Sequence, residues 1–222
     1  MTVIRAPHAS TNECVILLHG LARTDRSMKK LESALNDCGY QTVNYSYPST
    51  KHEIAKLAED AISDALSQCP ENCKVNFVTH SMGGILVRHY LSLNTIENLG
   101  RVVMLGPPNR GSQVVDTLKR VPGFKLINGP AGMQLGTGKM SIPNMLGSAC
   151  FEVGIIAGTR SINLFLSTML PSPDDGKVSV ANTKLEGMAD HISLPVTHPF
   201  MMNNQKVIDQ VVYFFKNGIF RR

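Results

Sequence analysis

The sequence predicts an α/β fold, a three-layer sandwich in which a mostly parallel sheet of about six strands lies between two layers of helices. Short apolar runs alternate with amphipathic segments for about ninety residues from Cys14 onward, and the connections between them are short. Parallel strands buried on both faces are typically apolar throughout and are joined by helices. A chain of 222 residues suffices for one core and is short for two, so we expect a single domain spanning 1–222.

The individual elements follow from the spacing of apolar residues. Continuous apolar runs predict strands over 14–18, 41–47, 74–79, 101–105, 151–158 and 192–196, with a brief extended piece at 178–180. Helical spacing predicts helices over 27–37, 54–66, 82–93, near 161–170 and over 204–216. Thr50 and Glu53 form a capping-box pattern ahead of the second helix.

The regular alternation stops after the fourth predicted strand. Residues 107–148 are rich in glycine and proline and show weak periodicity, which is typical of a functional lid or insertion. Scattered apolar residues in this segment either line an acyl pocket or belong to the ordinary core, and the sequence leaves both open; they are Met133, Leu135, Met140, Ile142, Met145 and Leu146.

Composition excludes several classes of function. The apolar fraction of 43% and charged fraction of 18% are those of an ordinary globular protein. The net charge of +5 comes from scattered basic residues without a basic run, so we expect no nucleic-acid partner. No apolar stretch is long enough to span a membrane. Residues 1–10 lack the apolar core of a secretory signal, so we expect a cytoplasmic protein, or an exported one whose leader has been removed.

The five cysteines are an odd number without a dense framework, which favours reduced and mostly buried thiols. Cys69 and Cys73 flank three residues, so a local disulfide between them is the alternative. A zinc site is less favoured, because no second cysteine or histidine pair lies nearby in sequence.

Ser81 lies where a predicted strand meets a predicted helix, in the stretch Val78-Thr79-His80-Ser81-Met82-Gly83-Gly84. A serine on a sharp strand-to-helix turn is typical of a nucleophile elbow, usually Gly-x-Ser-x-Gly. Small residues flank such a serine because neighbouring chain packs closely against the strained turn. Gly83 is retained here, whereas Thr79 replaces the first glycine and brings a branched side chain into a crowded position. A helix N-cap serine is the alternative role.

Two motifs carry a resemblance to a known family. His19-Gly20-Leu21 after the first strand and the elbow after the third resemble the α/β-hydrolase superfamily, within it the small bacterial lipases and esterases that lack the superfamily's first strands. The segment from Gly106 to Ser112 resembles the one that opens the lid region in those lipases. The resemblance spans nearly the whole chain from Cys14, and it implies a serine hydrolase whose nucleophile is Ser81.

The serine requires a base, because a neutral hydroxyl is a poor nucleophile. Among seven histidines, position leaves His191 and His198, which bracket the last predicted strand. Active sites of parallel sheets lie outside the carboxyl ends of the strands, so His198 is the predicted base and His191 is expected at the opposite edge. His80 is not favoured as the base, because adjacent residues at a turn point in different directions.

An acid must orient the imidazole. In the superfamily the chain order is serine, acid, histidine, so the acid is expected between Ser81 and His198. The carboxylates considered from this interval are Asp116, Glu152, Asp174, Asp175, Glu186 and Asp190. The stretch from Asp174 to Val178 resembles the Asp-Gly-x-Val segment that carries the acid in related lipases, which implies Asp175, with Asp174 as the alternative. Either residue could instead be a solvated turn acid.

The resemblance also implies an oxyanion hole formed by the backbone N–H groups of Leu21 and Met82. The implied reaction is hydrolysis of a carboxylic ester through an acyl-serine intermediate. The same machinery would serve an acyltransferase or a thioesterase, and a non-catalytic binding module is the alternative of a different class. We expect no metal, nucleotide or flavin cofactor. The expected partner is a small-molecule or lipid ester; peripheral lipid contact and the oligomeric state stay open.

Overall fold

The structure is a computed structural model that describes residues 12–222, so His8 and the N-terminal segment 1–11 lie outside the described part. Its sheet consists of β1 (Glu13–Leu18), β2 (Gln41–Tyr45), β3 (Lys74–His80), β4 (Leu99–Leu105), β5 (Val153–Gly158) and β6 (Asp190–Leu194). The strand order is β2-β1-β3-β4-β5-β6, and every neighbouring pair is parallel. The predicted parallel α/β sheet of about six strands is confirmed.

Helices connect and cover these strands. The α-helices are α1 (Lys29–Asp37), α2 (Ile54–Ser67), α3 (Met82–Leu93), α4 (Gln113–Leu118), α5 (Phe124–Met133), α6 (Ile142–Met145), α7 (Leu164–Ser167), α8 (Val180–Thr183) and α9 (Gln205–Asn217). Two 3₁₀-helices cover Asp25–Met28 and His198–Asn203. Among the described residues, no helix combines the length and apolar character that crossing a membrane requires.

The sheet buries both of its faces, as the unbroken apolar strands predict. On β1, Ile16 and Leu18 point into the core beneath α2 and α3, whereas Val15 and Leu17 point into the core beneath α1 and α9. This alternation follows from the two-residue period of a strand. Each helix layer therefore has its own core, and the sheet stands between them with its carboxyl edge free for a site.

Several predicted boundaries differ from the structure. The last strand begins at Asp190, two residues earlier than expected. In the extended piece predicted at 178–180, Ser179 forms an isolated antiparallel bridge with Asp174, and Val180 already begins α8. The capping box is wrong: Glu53 is the N-cap of α2, without a side-chain cap bond. The Ile54 N–H instead donates to Gln134 Oε1 at 2.8 Å. A residue eighty positions away therefore satisfies a helix end that local sequence was expected to satisfy.

The segment 107–148 contains α4, α5 and α6 and is attached to α3 through a buried cation. Arg88, 4% exposed, donates to the backbone oxygens of Asn109, Pro143 and Gly147 and to the side-chain oxygen of Asn109, at 2.8–3.2 Å. Burial lowers the pKa of Arg88 to about 10. All four acceptors are neutral, so the guanidinium holds both ends of the segment by hydrogen bonds alone.

All five cysteines are free thiols, as the odd count favoured, but the expectation that most are buried is wrong. Cys14 and Cys73 are buried, Cys38 and Cys69 are half-buried, and Cys150 is exposed. The sulfur atoms of Cys14, Cys69 and Cys73 lie within 4.8 Å of one another, beside the core under α2. The closest pair is Cys14 Sγ and Cys69 Sγ, 2.7 Å apart. Spacing along the chain pointed to Cys69 and Cys73, whereas the fold brings in Cys14 from the first strand.

Candidate active site

Ser81 connects β3 to α3 in a strained backbone conformation. Its φ of 52° and ψ of −119° lie outside the regions that non-glycine residues prefer, which costs on the order of 1–3 kcal/mol. The Ser81 N–H donates to Leu105 O at 2.8 Å, and the Gly84 N–H donates to Ser81 O at 3.1 Å. These bonds to β4 and within the first turn of α3 hold the serine at the carboxyl edge of the sheet.

Glycines allow the chain to approach this turn closely. A Cβ on Gly83 would lie 2.7 Å from Leu18 O, and a Cβ on Gly20 would lie 2.7 Å from His80 Nδ1. Thr79, which stands where the elbow pattern has glycine, is fully buried. A Cβ on Gly84 would lie 3.2 Å from Thr79 Oγ1, so the second glycine after the serine leaves the space that the threonine occupies.

His198 and Asp175 form a buried pair at the same edge. His198 Nδ1 lies 2.7 Å from Asp175 Oδ2, and the two residues are 7% and 1% exposed. The other carboxylate oxygen, Oδ1, accepts the backbone N–H groups of Lys177 and Val178 at 3.0 and 2.8 Å. The carboxylate is thus fully engaged. Because Nδ1 is bonded to Asp175, the ring's Nε2 is the nitrogen left for another partner.

The alternatives that the sequence left open lie elsewhere. Asp174 Oδ1 accepts the Gly176 N–H at 2.7 Å and the Ser167 hydroxyl at 2.8 Å, so this carboxylate stabilises the turn. His191 lies on β6, and its Nε2 is 2.9 Å from Thr183 Oγ1. Neither side chain lines the cavity that contains Ser81.

His80, which the sequence did not favour as the base, also lines the cavity and contacts His198. The residue is 1% exposed, and its Nε2–H donates to the backbone oxygen of His198 at 3.0 Å. The centroids of the His80 and His198 rings lie 4.7 Å apart. Burial, and then the charge of His198, hold the pKa of His80 well below its usual range, so its ring is neutral. The sequence feature that could have indicated this role is the position of His80 at the end of the buried strand β3, where a side chain is packed inside the protein.

Gly106, after β4, packs against the Asp175–His198 pair. Its φ of 55° lies in the left-handed region. A Cβ there would lie 2.9 Å from Asp175 Oδ2 and 3.1 Å from His198 Nδ1. Only glycine combines this conformation with this approach.

A cavity of about 850 Å³ opens over Ser81. Ser81, Asp175 and His198 all line it, and so does Leu21. Among the described residues, no partner within hydrogen-bonding distance is found for the Ser81 hydroxyl. Catalytic hydrogen bonds commonly tighten only when substrate binds. Met82 is fully buried at the first position of α3, so any role for it is through its backbone N–H.

The segment 107–148 supplies one wall of this cavity, and of the six apolar residues considered for an acyl pocket only Leu135 belongs to that wall. Leu135 lines it, whereas Met140 and Met145 are largely exposed, and Ile142 and Leu146 pack against the core. Met133 does not line the cavity either. The wall is formed mainly by Pro108, Ser112, Val114, Val115, Phe124, Ile127 and Asn128. Of the two alternatives that the sequence left open, pocket lining therefore holds for Leu135, and a place against the core holds for Ile142 and Leu146.

Comparison with known proteins gives matches in structure alone, since no family model and no curated protein matches the sequence. The lipase BlEst2 of Bacillus licheniformis, in its mature form, is 17% identical with a TM-score of 0.67, over 97% of this chain and 95% of the lipase. The type II thioesterase YbtT of yersiniabactin biosynthesis is 11% identical with a TM-score of 0.64, over 94% of both chains.

A third similar structure is the metagenomic carboxyl esterase MGS0156. It is 16% identical with a TM-score of 0.62, over 89% of this chain and 68% of the esterase. Identities this low establish shared architecture and leave the specific reaction to the site itself. Together with the six-stranded parallel sheet and its helices on both faces, these matches show that the chain has the α/β-hydrolase fold.

Proposed function

We propose that the protein is a serine hydrolase that cleaves carboxylic esters through an acyl-serine intermediate. The observation that carries the proposal is the buried His198–Asp175 pair, which lines one cavity with a serine held in a strained turn. A nucleophile, a base and an orienting acid around a shared space are the parts that acyl transfer needs. The hydrolase fold supports this assignment, because its active sites lie at the carboxyl edge of the sheet.

The proton path follows from the bonding of His198. With Nδ1 donating to Asp175 Oδ2, Nε2 is the ring nitrogen left to accept a proton. In the proposed mechanism Nε2 takes the Ser81 proton as the hydroxyl attacks the ester carbonyl, and Asp175 stabilises the resulting imidazolium. The proton then passes to the leaving alcohol. Water, deprotonated by the same nitrogen, cleaves the acyl-serine and restores the hydroxyl.

The tetrahedral intermediate places a negative charge on the former carbonyl oxygen. We assign its stabilisation to the backbone N–H groups of Leu21 and Met82. Leu21 follows β1 and lines the cavity, and Met82 begins α3, where unpaired N–H groups and the helix dipole favour an anion. Losing one such donor typically lowers turnover by about 10²–10³-fold.

The segment 107–148 is proposed to be a lid within a single domain spanning 1–222. It contributes cavity-lining residues from two helices, α4 and α5, and it is attached to the fold through Arg88. A wall built from one insertion lets acyl selectivity be set independently of the catalytic groups.

The proposal is tested by hydrolysis of 4-nitrophenyl esters of increasing acyl length. The wild type is expected to turn over at least one ester, and Ser81→Ala and His198→Ala are expected to abolish that turnover. His191→Ala is the matched control, because this histidine lies on β6 away from the cavity, and it is expected to keep most activity. Loss of activity in His191→Ala with retention in His198→Ala would overturn the assignment of the base.

A thioesterase is the second candidate, favoured by the similarity to YbtT over nearly the whole of both chains. Both reactions proceed through the same acyl-serine and differ in the leaving group. Matched oxygen and sulfur esters of one acid separate them: a higher kcat/KM for the thioester favours this second candidate. Adding a competing alcohol and analysing the products distinguishes hydrolysis from acyl transfer.

A further inference from the structure

The rim of the cavity carries cations that the proposed triad does not use. Arg23, Arg26 and Lys177 line the cavity, and no described carboxylate lies within 4.0 Å of their charged groups. Asp25 lies between the two arginines in sequence but does not line the cavity. Among the described residues, the one carboxylate in the lining is that of Asp175, which is buried and fully hydrogen-bonded. The cavity therefore has an excess of positive charge.

Two of these cations lie close in sequence to proposed catalytic groups. Arg23 follows the proposed oxyanion donor Leu21 by two residues, and Lys177 follows Asp175 by two. Desolvation lowers the pKa of Lys177; the charge of Asp175 opposes this shift, and the charge of Arg23 adds a smaller contribution to it. Arg23 and Lys177 line the same cavity, so an anion bound there would be attracted by both and would reduce the repulsion between them.

We propose that the site takes esters that carry an anionic group, a carboxylate or a phosphate, held between Arg23 and Lys177. This inference rests on the proposed ester hydrolysis and names the class of substrate. The apolar lining, including Val114, Val115 and Phe124, accommodates the hydrocarbon part. Arg26 at the exposed rim extends the positive field, which steers an anion toward the cavity.

Two substrates of equal shape test the charge preference. One is the 4-nitrophenyl monoester of adipic acid, which is anionic; the other is the same ester of adipic monoamide, which is neutral. Rates in the Ser81→Ala variant are subtracted as background. We expect kcat/KM to be about tenfold higher for the anionic ester at low ionic strength, and the ratio to fall as salt is added.

Arg23→Gln and Lys177→Gln are expected to bring this ratio toward one while hydrolysis of the neutral ester persists. Lys29→Gln is the matched control, because Lys29 is exposed and does not line the cavity. Thermal melting checks that each variant is folded. A ratio near one in the wild type, unchanged by either variant, overturns the inference and leaves ester hydrolysis standing. Absence of Ser81-dependent turnover with both esters removes the proposed function and this inference with it.

The source of the anion is distinguished in a second arm. Dihexanoyl phosphatidylglycerol, whose headgroup is anionic, is compared with dihexanoyl phosphatidylcholine, both as dissolved monomers. A preference for the phosphatidylglycerol that is lost in Arg23→Gln assigns the site to phosphate-bearing esters. A charge preference confined to the adipate pair assigns it to carboxylate-bearing esters, and no preference in either pair contradicts the proposal.

A separate observation concerns the three thiols under α2. Cys14 is fully buried on β1, Cys73 is buried ahead of β3, and Cys69 is partly exposed after α2. The 2.7 Å contact between the sulfurs of Cys14 and Cys69 brings together residues 55 positions apart. A hydrogen bond from Cys14 lowers the pKa of Cys69, which favours its thiolate. Cys69, the most exposed of the three thiols, is therefore also the one whose nucleophilic thiolate is favoured.

We infer that mild oxidation links Cys14 to Cys69 and leaves Cys73 a thiol. The Cys69 thiolate attacks a small-molecule disulfide, R–S–S–R, forming a mixed disulfide and releasing one thiolate, which is protonated to R–SH. Cys14 then loses its proton, attacks the Cys69 sulfur and releases the second R–SH. Two protein thiols are thereby oxidised by two electrons, and R–S–S–R is reduced to two R–SH.

The link is tested with oxidised glutathione in a Cys38→Ser, Cys150→Ser background, which removes the other two thiols. After treatment and alkylation with N-ethylmaleimide in denaturant, intact mass is expected to show one alkylated thiol instead of three. Peptide mapping is expected to find Cys14 joined to Cys69. Cys73→Ser should still form the link, whereas Cys14→Ser should retain glutathione on Cys69. Three alkylated thiols, or a link between Cys69 and Cys73, would contradict the inference.

Discussion

His198 and Asp175 contact each other twice. The ring nitrogen Nδ1 lies 2.7 Å from Oδ2 of the carboxylate, and the backbone N–H of His198 donates to the backbone oxygen of Asp175 at 3.0 Å. The main-chain bond joins the loop between α7 and α8 to the 3₁₀-helix that begins at His198. Asp175 thus fixes both the position of His198, through the main-chain bond, and the tautomer of its imidazole, through the side-chain bond.

Asp175→Asn is expected to lower kcat by about 10⁴-fold while leaving the fold intact, because an amide in place of Oδ2 favours the wrong tautomer of the ring. Asp174→Asn is the control: its carboxylate contacts the turn and Ser167. It is expected to change kcat by less than about tenfold. Steady-state kinetics on the best 4-nitrophenyl ester measure both. Equal losses in the two variants would show that the turn, and not the pairing with His198, matters.

Gly106→Ala is expected to lose both stability and activity. The new Cβ would approach Asp175 Oδ2 and His198 Nδ1 within 3.1 Å, at a φ of 55° that alanine tolerates poorly. Gly123→Ala separates the two causes, because Gly123 has a φ of 88° but nothing within 4 Å of its added Cβ. That control is expected to lose about 1–2 kcal/mol of unfolding free energy with normal kcat. Guanidinium unfolding measures the stability of both variants, and ester kinetics measure their kcat. An unchanged kcat in Gly106→Ala would contradict the claim that a Cβ at this position disturbs the Asp175–His198 pair.

Arg88→Met is expected to release the segment 107–148. The substitution keeps much of the side-chain length but removes the bonds to Asn109, Pro143 and Gly147, which leaves buried oxygens without donors. We expect a loss on the order of 3 kcal/mol in unfolding free energy and faster proteolysis within 107–148. Arg120→Met is the control in an exposed part of the same segment. Equal protease resistance in all three proteins would rule out this attachment.

The neutral state of His80 gives stability a defined dependence on pH. Since the folded protein holds the pKa of His80 below its ordinary 6.5, the unfolded chain binds a proton that the folded one does not. This contribution is complete above pH 6.5 and is lost as pH falls below it. His80→Gln is expected to flatten the fall in unfolding free energy between pH 6.5 and 5.5 by up to about 1.4 kcal/mol per pH unit. Urea unfolding of the wild type, His80→Gln and the exposed control His52→Gln measures it; identical slopes in all three count against a neutral His80.

The sheet and the positions of Ser81 and His198 could be predicted because they depend on order along the chain. Parallel strands end at one common edge, so a residue's place relative to its strand indicates which edge it occupies. The same logic separated His198 from His191, which the structure places on β6.

What the sequence could not reveal depends on contacts between distant segments. The His80 ring is oriented by its hydrogen bond to the backbone oxygen of His198, 118 positions away. The first N–H of α2, that of Ile54, donates to the side chain of Gln134. The apolar residues in 107–148 were expected either in a pocket or in the core, yet Met140 is in neither and is 82% exposed. Cys14 joined the thiol cluster for the same reason: β1 lies beside β3 only in the folded sheet.

The most direct test of the central claim is reaction of the native protein with a fluorophosphonate, followed by mass-spectrometric mapping of the label. Activation of Ser81 by His198 predicts one label per chain, located on Ser81, formed rapidly in the wild type and about as fast in His191→Ala. His198→Ala and heat-unfolded protein are expected to react little. Native protein that stays unlabelled at Ser81, or a label that forms equally well without His198, would contradict the account.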